Sequence, residues 1–350
     1  MIPKNAGVIV ELTRKCNLSC KYCFYEKGDI TIDLDTLNKI LEEVISLGKK
    51  KVTFQYFGGE PFIEEIPFLE EVMDLKRMFK DKLEMKIKIQ TNGTLIDEQT
   101  VKFIKDNNIG LGLSIDGPKD IHDSQRVYCD GGGTHDDIMN SVKILREHNV
   151  RFGCICILTR IGLNKIPRIL NFFKSINLGF RLNPIRPYPP DNSLAITPQE
   201  YGIALTELFD LWYPQFDKIR IKTLMEYSYA VTSNKTSGCW SIGNCLDRLI
   251  HIDVFGNVYP CDTFANEKSM QLGNISDRSL KEILVESYPK FARNRIADCL
   301  GCKWKELCNG GCTYNAFKVH GSIYTRDYYC ASRRMVFEHI SNRLGITVPS

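Results

Sequence analysis

Residues 14–28 read RKCNLSCKYCFYEKG and place three cysteines, Cys16, Cys20 and Cys23, within eight positions. Thiolates spaced this closely hold metal, and zinc and iron–sulfur centres usually draw four protein ligands. Three ligands leave two readings: a distant fourth ligand completes a zinc knuckle, or one metal position stays open to a small molecule. Eight further cysteines fall between 239 and 330: Cys239, Cys245, Cys261, Cys299, Cys302, Cys308, Cys312 and Cys330. Eight thiolates suffice for two sites of four, holding zinc or clusters. Clustered cysteines in a reduced compartment point to metal rather than to disulfides. Of the remaining three, Cys154 and Cys156 share one face of a strand and are expected in the core. Cys129, in YCDGGGTH, is expected to be a free structural thiol rather than a reactive one.

The elements that must carry these residues follow from periodicity. GVIVEL (7–12), KVTFQYF (51–57), EMKIKIQT (84–91), GLGLSI (110–115) and RFGCICIL (151–158) read as strands, and a further strand lies in GFRLNPI (179–185). Between them, Asp33 can cap a helix that buries Leu37, Ile40, Leu41, Val44 and Leu47 and ends at Gly48. Further helices are expected over about 65–80, from Asp97, and around 163–176. Some six βα units imply a parallel sheet with right-handed crossovers. NPIRPYPPDNS (183–193) is an extended linker, followed by helices around 197–213 and 219–232. From Ser237 cysteines, glycines and short strands take over.

Composition bounds the function. The chain has 350 residues, 43% hydrophobic and 25% charged, with a net charge of +4. That suits a soluble globular protein and gives no basic stripe for nucleic acid. The lysines at 49–51 are a solvated run. No apolar stretch approaches a membrane span of about 20 residues, and MIPKNAGVIVEL is not a signal peptide. A cytoplasmic location and no membrane partner are expected.

The three-cysteine loop follows the first strand, at the edge where parallel α/β folds place their chemistry. Three thiolates can hold three irons of a [4Fe–4S] cube and leave the fourth to the amine and carboxylate of S-adenosylmethionine. CNLSCKYCFY resembles the signature of the radical S-adenosylmethionine superfamily. By that resemblance Tyr22 packs beside the cluster and adenine. FGGEP (57–61), directly after the second strand, resembles the family's glycine-rich segment for the methionine amine. Gly58, Gly59, Glu60 and Pro61 are its candidates, with Glu60 hydrogen-bonded to the ammonium. QTNGT (90–94) and LSIDGP (113–118) are expected at strand ends facing the cofactor. Ser114 and Arg126 are candidates for ribose and carboxylate contacts.

GNVYPC (256–261) and the Cys-x2-Cys-x5-Cys-x3-Cys run resemble the SPASM extension of radical enzymes that act on peptides and proteins. The resemblance implies one auxiliary [4Fe–4S] cluster on Cys239, Cys245, Cys261 and Cys312. It puts the other on Cys299, Cys302, Cys308 and Cys330, for three clusters in all. The expected architecture is α/β: a partial (β/α)6 TIM-like barrel over 1–190, a helical linker region over 191–236, the SPASM domain over 237–335, and a C-terminal helix or tail over 336–350.

QTNGTLIDE, GLSIDGP, FDLWY and VYPCD are similar to anaerobic sulfatase-maturating enzymes, in which the aspartate after this cysteine is the general base. That aspartate is Asp262 here; Asp116 is a weaker candidate, since DG is also a turn signal. Two departures favour maturases of ribosomally made peptides: the lead-in VIVELTRKC, and GGEPFI in place of GGEPTL. The first expectation is therefore a radical peptide maturase. It takes hydrogen from Cβ or Cα of a side chain and closes a carbon–carbon, ether or thioether crosslink by two-electron oxidation. The alternative is oxidation of cysteine or serine to formylglycine on a sulfatase. A non-catalytic zinc or iron–sulfur protein is the alternative of another class. Partners expected are a peptide or protein substrate and a one-electron reductant of the flavodoxin or ferredoxin type. No leader-binding domain fits before Cys16, so a leader peptide would need the barrel mouth, the SPASM fold or a separate partner.

Overall fold

The strands, in chain order, are β1 (Gly7–Thr13), β2 (Lys51–Gly58), β3 (Glu84–Thr91), β4 (Gly110–Ser114), β5 (Phe152–Leu158), β6 (Arg181–Pro184), β7 (Leu249–Ile252), β8 (Asn257–Tyr259) and β9 (Gly273–Asn274). The computed structural model describes residues 7–187, 192–292 and 296–347. Parts of four expected segments therefore lie outside the described residues: 1–6 of the lead-in, 188–191 of the proline-rich linker, 293–295 of the SPASM domain and 348–350 of the tail. The chain forms two compact units, each built from separated stretches. One joins residues 7–114, 126–152 and 245–290, and the other 115–125, 153–244 and 291–347.

In the first unit β1 is flanked by β2 and β7, and its residues from Val8 to Thr13 are buried. A strand covered on both faces needs a near-continuous apolar run, which VIVEL supplies apart from Glu11. The strand order in this unit is β4-β3-β2-β1-β7-β8-β9. Pairing is parallel from β4 to β7 and antiparallel through the β7–β8–β9 meander. β3 alternates as expected: Met85, Ile87 and Ile89 are buried, while Glu84, Lys86 and Lys88 face solvent.

The helices start where their caps predict. Asp33 accepts from Thr36 N and opens Leu34–Ser46; Asp97 accepts from Thr100 N and opens Glu98–Asp106. Leu37, Ile40, Leu41 and Val44 are buried, while Leu47, at the helix end, is half-buried. Parallel pairing brings the C-terminal ends of successive strands to one edge. Thr13 sits opposite Gly58, and Thr91 opposite Leu113. The cysteine loop, FGGEP, QTNGT and the end of β4 all follow that edge.

The second unit pairs β5 with β6 in parallel. Cys154 and Cys156 are buried in β5. The helix Pro198–Trp212 opens on a capping box between Thr197 and Glu200. It packs against the C-terminal helix, which also contacts Lys222–Ser233. That C-terminal helix spans Cys330–Leu344, so it begins at an expected cluster ligand rather than near 336. Among the described residues no helix is long and apolar enough to cross a membrane.

Candidate functional site

The three-cysteine loop is pinned from several sides. Gly28 N donates to Arg14 O at 3.1 Å and closes the loop at its base. Ser19 N donates to Val127 O at 2.7 Å, and Cys23 N to Cys20 O at 3.0 Å. Cys16 and Cys20 are half-buried and Cys23 is exposed. Burial pushes the Cys16 thiol up to about 11. The loop thus presents three thiols, none of them in a disulfide, at the edge of the sheet, the donor set a cube with one open iron requires.

The two glycines after β2 are needed because the cysteine loop passes against them. Gly59 N donates to Thr13 O at 2.8 Å, and Glu60 N to Lys15 O at 2.8 Å. A Cβ on Gly59 would lie 1.9 Å from Lys15 O. Gly58 has φ of +142°, and a Cβ there would lie 2.1 Å from Thr13 O. The close approach expected from the sequence is therefore, within the protein, one to the loop's own backbone.

Glu60 is fully buried and its carboxylate has protein partners. Oε1 accepts from Thr91 Oγ1 at 2.6 Å and from Phe62 N at 3.1 Å; Oε2 accepts from Asn92 N at 2.6 Å. Burial raises this carboxyl to about 7, against the lowering pull of those hydrogen bonds. Pro61 is buried and opens the short turn Pro61–Ile63. Asn92 Nδ2 donates to Asn17 Oδ1 at 2.9 Å, and Asn17 Nδ2 donates to Thr94 Oγ1 at 2.9 Å. Asn17 lies inside the cysteine loop, so this amide pair couples QTNGT to it. Both asparagines lie within motifs quoted above, but nothing in the sequence pairs them with each other.

Tyr22 and Arg126 are both buried, and the Arg126 guanidinium carbon stands 5.2 Å from the Tyr22 ring centroid. Ser114 Oγ, at the end of β4, accepts from Gln90 Nε2 at 3.1 Å. Cys129 is exposed, with its Sγ 3.6 Å from Asn17 O. In the second unit Asp116 is fully buried: Oδ1 accepts from Ile157 N at 2.9 Å and Oδ2 from Gln125 Nε2 at 2.7 Å. With both oxygens so engaged, it serves to hold the chain after β4 to the end of β5.

A second tie joins the cysteine loop to the β7–β8 hairpin. Buried Glu11 binds Arg14 Nε at 2.9 Å and accepts from Val254 N at 3.2 Å, while Arg14 also reaches Asp253 at 3.8 Å. Beyond the hairpin, Asn266 Nδ2 donates to Phe24 O at 2.9 Å. Cys261 and Asp262 lie between these two ties. Cys261 Sγ is 2.9 Å from Thr263 Oγ1, and Asp262, half-buried, opens the short turn Asp262–Phe264.

Of the two auxiliary ligand sets, Cys299, Cys302, Cys308 and Cys330 lie within the second unit and line one cavity. Cys308 is pushed up to about 12 by burial. Four thiols lining one cavity fit a fully ligated cluster. In the other set, Cys245 and Cys261 belong to the first unit, Cys239 and Cys312 to the second.

The profile of the radical SAM superfamily matches residues 10–173, and that of the SPASM iron–sulfur cluster-binding domain matches 239–313. The cysteine-type anaerobic sulfatase-maturating enzyme of Clostridium perfringens (strain 13) is 31% identical over 98% of each chain. The chain belongs to the radical SAM superfamily and carries a SPASM domain. Three [4Fe–4S] clusters and S-adenosylmethionine are the cofactors of this radical SAM architecture. The serine-type anaerobic sulfatase-maturating enzyme of Bacteroides thetaiotaomicron is 25% identical over 93% of this chain and 87% of its own. Among solved structures, native anSMEcpe with bound AdoMet and Cp18Cys peptide superposes with a TM-score of 0.87, at 28% identity, over 97% of this chain and 98% of that one. Streptococcus suis SuiB bound to precursor peptide SuiA shares the fold, with a TM-score of 0.70 at 16% identity. The relatives thus weigh against the departures in VIVELTRKC and GGEPFI that favoured crosslinking, and towards sulfatase maturation.

Proposed function

We propose that this radical SAM enzyme oxidises a cysteine or serine side chain of a sulfatase to formylglycine. The observation that carries this reading is 31% identity, over 98% of both chains, to a cysteine-type sulfatase-maturating enzyme. Cys16, Cys20 and Cys23 would hold the cluster that binds S-adenosylmethionine, which would supply a radical able to take one hydrogen from the substrate Cβ, and the auxiliary cysteines would hold clusters able to accept one electron. The chain's own part is to bind, orient and deprotonate. Tyr22, Arg126 and Ser114 line the approach to the cofactor. Gly58 and Gly59 let the β2 end seat the cysteine loop, and Glu60 locks β3 to it. Asp262 takes the substrate proton, which balances a two-electron oxidation of serine to the aldehyde. With cysteine, water replaces sulfur, which leaves as sulfide.

The auxiliary sets are Cys239, Cys245, Cys261, Cys312 and Cys299, Cys302, Cys308, Cys330. The reaction is cytoplasmic and draws electrons from a flavodoxin- or ferredoxin-type donor. Anaerobic incubation with a sulfatase-derived peptide, S-adenosylmethionine and reductant tests the reading: an aldehyde in the peptide supports it. Crosslinking of a ribosomally made peptide is the second reading, favoured by GGEPFI and the VIVELTRKC lead-in.

A further inference from the structure

Among the described residues, the cavity of Cys299, Cys302, Cys308 and Cys330 is lined by one buried cation. Arg333 lines it, one turn beyond Cys330 on the C-terminal helix, and is 6% exposed. Lys305, Arg326 and Arg334 also line the cavity, but Lys305 is half-buried and the two arginines are exposed, where water screens their charge. Arg333 Nη1 lies 2.6 Å from Asp327 Oδ2, and its guanidinium carbon stands 5.1 Å from the Trp240 ring centroid. Its Nε has no hydrogen-bond partner among the described residues.

A buried guanidinium with an unused donor is costly unless something accepts from it. Asp327 does not relieve that cost in full, because its oxygens are shared. Oδ1 accepts from Tyr329 N at 2.7 Å and Asn315 Nδ2 at 3.2 Å, and Oδ2 accepts from Cys312 N. The surroundings offer no water-like dielectric. Trp304 stacks on Phe337 at 5.2 Å, and Tyr227 on Trp240 at 4.9 Å. Gly311 keeps the space open: at φ +78°, a Cβ there would lie 2.4 Å from Asp327 Cβ and 2.9 Å from Arg333 Nη1. Arg333 shares the lining of this cavity with four thiols.

We propose that Arg333 is a positioning residue for the cluster in this cavity: its Nε–H donates to the cluster's sulfur, and its charge favours the reduced, more negative state. The low dielectric strengthens both effects. The cluster is thereby a better acceptor for the electron that leaves the substrate. The inference rests on the cavity holding a cluster.

The test is a redox titration followed by paramagnetic resonance on the anaerobically reconstituted full chain carrying Cys16→Ala, Cys20→Ala and Cys23→Ala, so that two auxiliary couples are read. Arg333→Gln is expected to lower the reduced-to-oxidised ratio of one couple about tenfold at fixed potential, or about 59 mV for a one-electron couple. Arg333→Lys, which keeps the charge, is expected to recover most of that loss. Two unmoved couples in iron-loaded Arg333→Gln overturn the proposal. If Arg333→Gln does not hold iron, Asp327→Asn serves instead. It leaves Arg333 with less countercharge and is expected to move the same couple the other way; an unmoved couple overturns the proposal. Cys302→Ala separates the two layers. Unchanged iron content and two intact couples in that variant refute the cluster assignment itself. Loss of one couple there, with that couple unmoved in Arg333→Gln, refutes the role of Arg333 alone.

Discussion

Thr91 donates its hydroxyl to Glu60 at 2.6 Å, and that bond fixes the end of β3 to the turn after β2. Thr91 Oγ1 also accepts from Gly93 N at 2.9 Å, so one threonine holds the QTNGT turn and the carboxylate together. Asn92 and Asn17 carry the connection into the cysteine loop. Three segments far apart in the chain form one rigid rim.

Glu60→Gln is expected to destabilise the protein by about 1–3 kcal/mol, because an amide cannot accept at both positions and leaves Asn92 N–H facing a donor. S-adenosylmethionine affinity falls with it, as the rim loosens. Thermal denaturation and equilibrium dialysis measure the two effects. Wild-type values for both would remove Glu60 from the rim.

Gly59→Ala is expected to cost the chain its N-terminal cluster. The new Cβ meets Lys15 O at 1.9 Å, and backbone on backbone leaves the loop nowhere to yield. Iron content should fall by about four atoms per chain, one cube, while the auxiliary clusters stay. Full iron content with normal cleavage of S-adenosylmethionine is the contrary result.

His251 sets an acid limb of stability. It is fully buried on β7, and burial lowers it to about 3. The unfolded chain binds a proton near pH 6.5, so this contribution is complete above that value and is lost as pH falls towards 3. Glu60, raised to about 7, works the other way: its folded form gains relative stability as pH falls from 7 to 4.5. Both proteins share the Glu60 slope, so comparing His251→Phe with wild type isolates the histidine. Between pH 7 and 5 the variant should lose about 2 kcal/mol less stability than wild type. Parallel curves in denaturant titrations would remove His251 as the source.

Asp262→Asn is expected to separate two steps. 5′-Deoxyadenosine formation stays within a few-fold of wild type, while oxidised peptide falls roughly 10²- to 10⁴-fold, the range of general-base catalysis. Chromatography of both products from one reaction gives the ratio. A proportional fall in both would make Asp262 a binding residue instead.

The sequence exposes what is local. Cys16, Cys20 and Cys23 are legible because one turn of loop sets their spacing, and β3 because Met85, Ile87 and Ile89 alternate with charges. The helix starts at Asp33 and Asp97 follow from their caps. What joins distant stretches is not legible. Glu11 to Val254 spans 243 positions and Asn92 to Asn17 spans 75, and no local pattern records either. The C-terminal helix starts earlier than its apolar spacing implies because buried Ser332 and Arg333 interrupt that spacing before Val336, Phe337 and Ile340. Glu60 stands out in the sequence by its place in FGGEP, but Thr91 and Asn92, which hold its carboxylate, do not.

The most direct measurement is mass spectrometry of two sulfatase-derived peptides, one with cysteine and one with serine at the target position, after anaerobic turnover with S-adenosylmethionine and reductant. The account predicts an uncrosslinked product whose target residue carries an aldehyde captured by a hydrazide, with 5′-deoxyadenosine formed alongside it. Loss of two hydrogens into a crosslink, with nothing captured by hydrazide from either peptide, contradicts it.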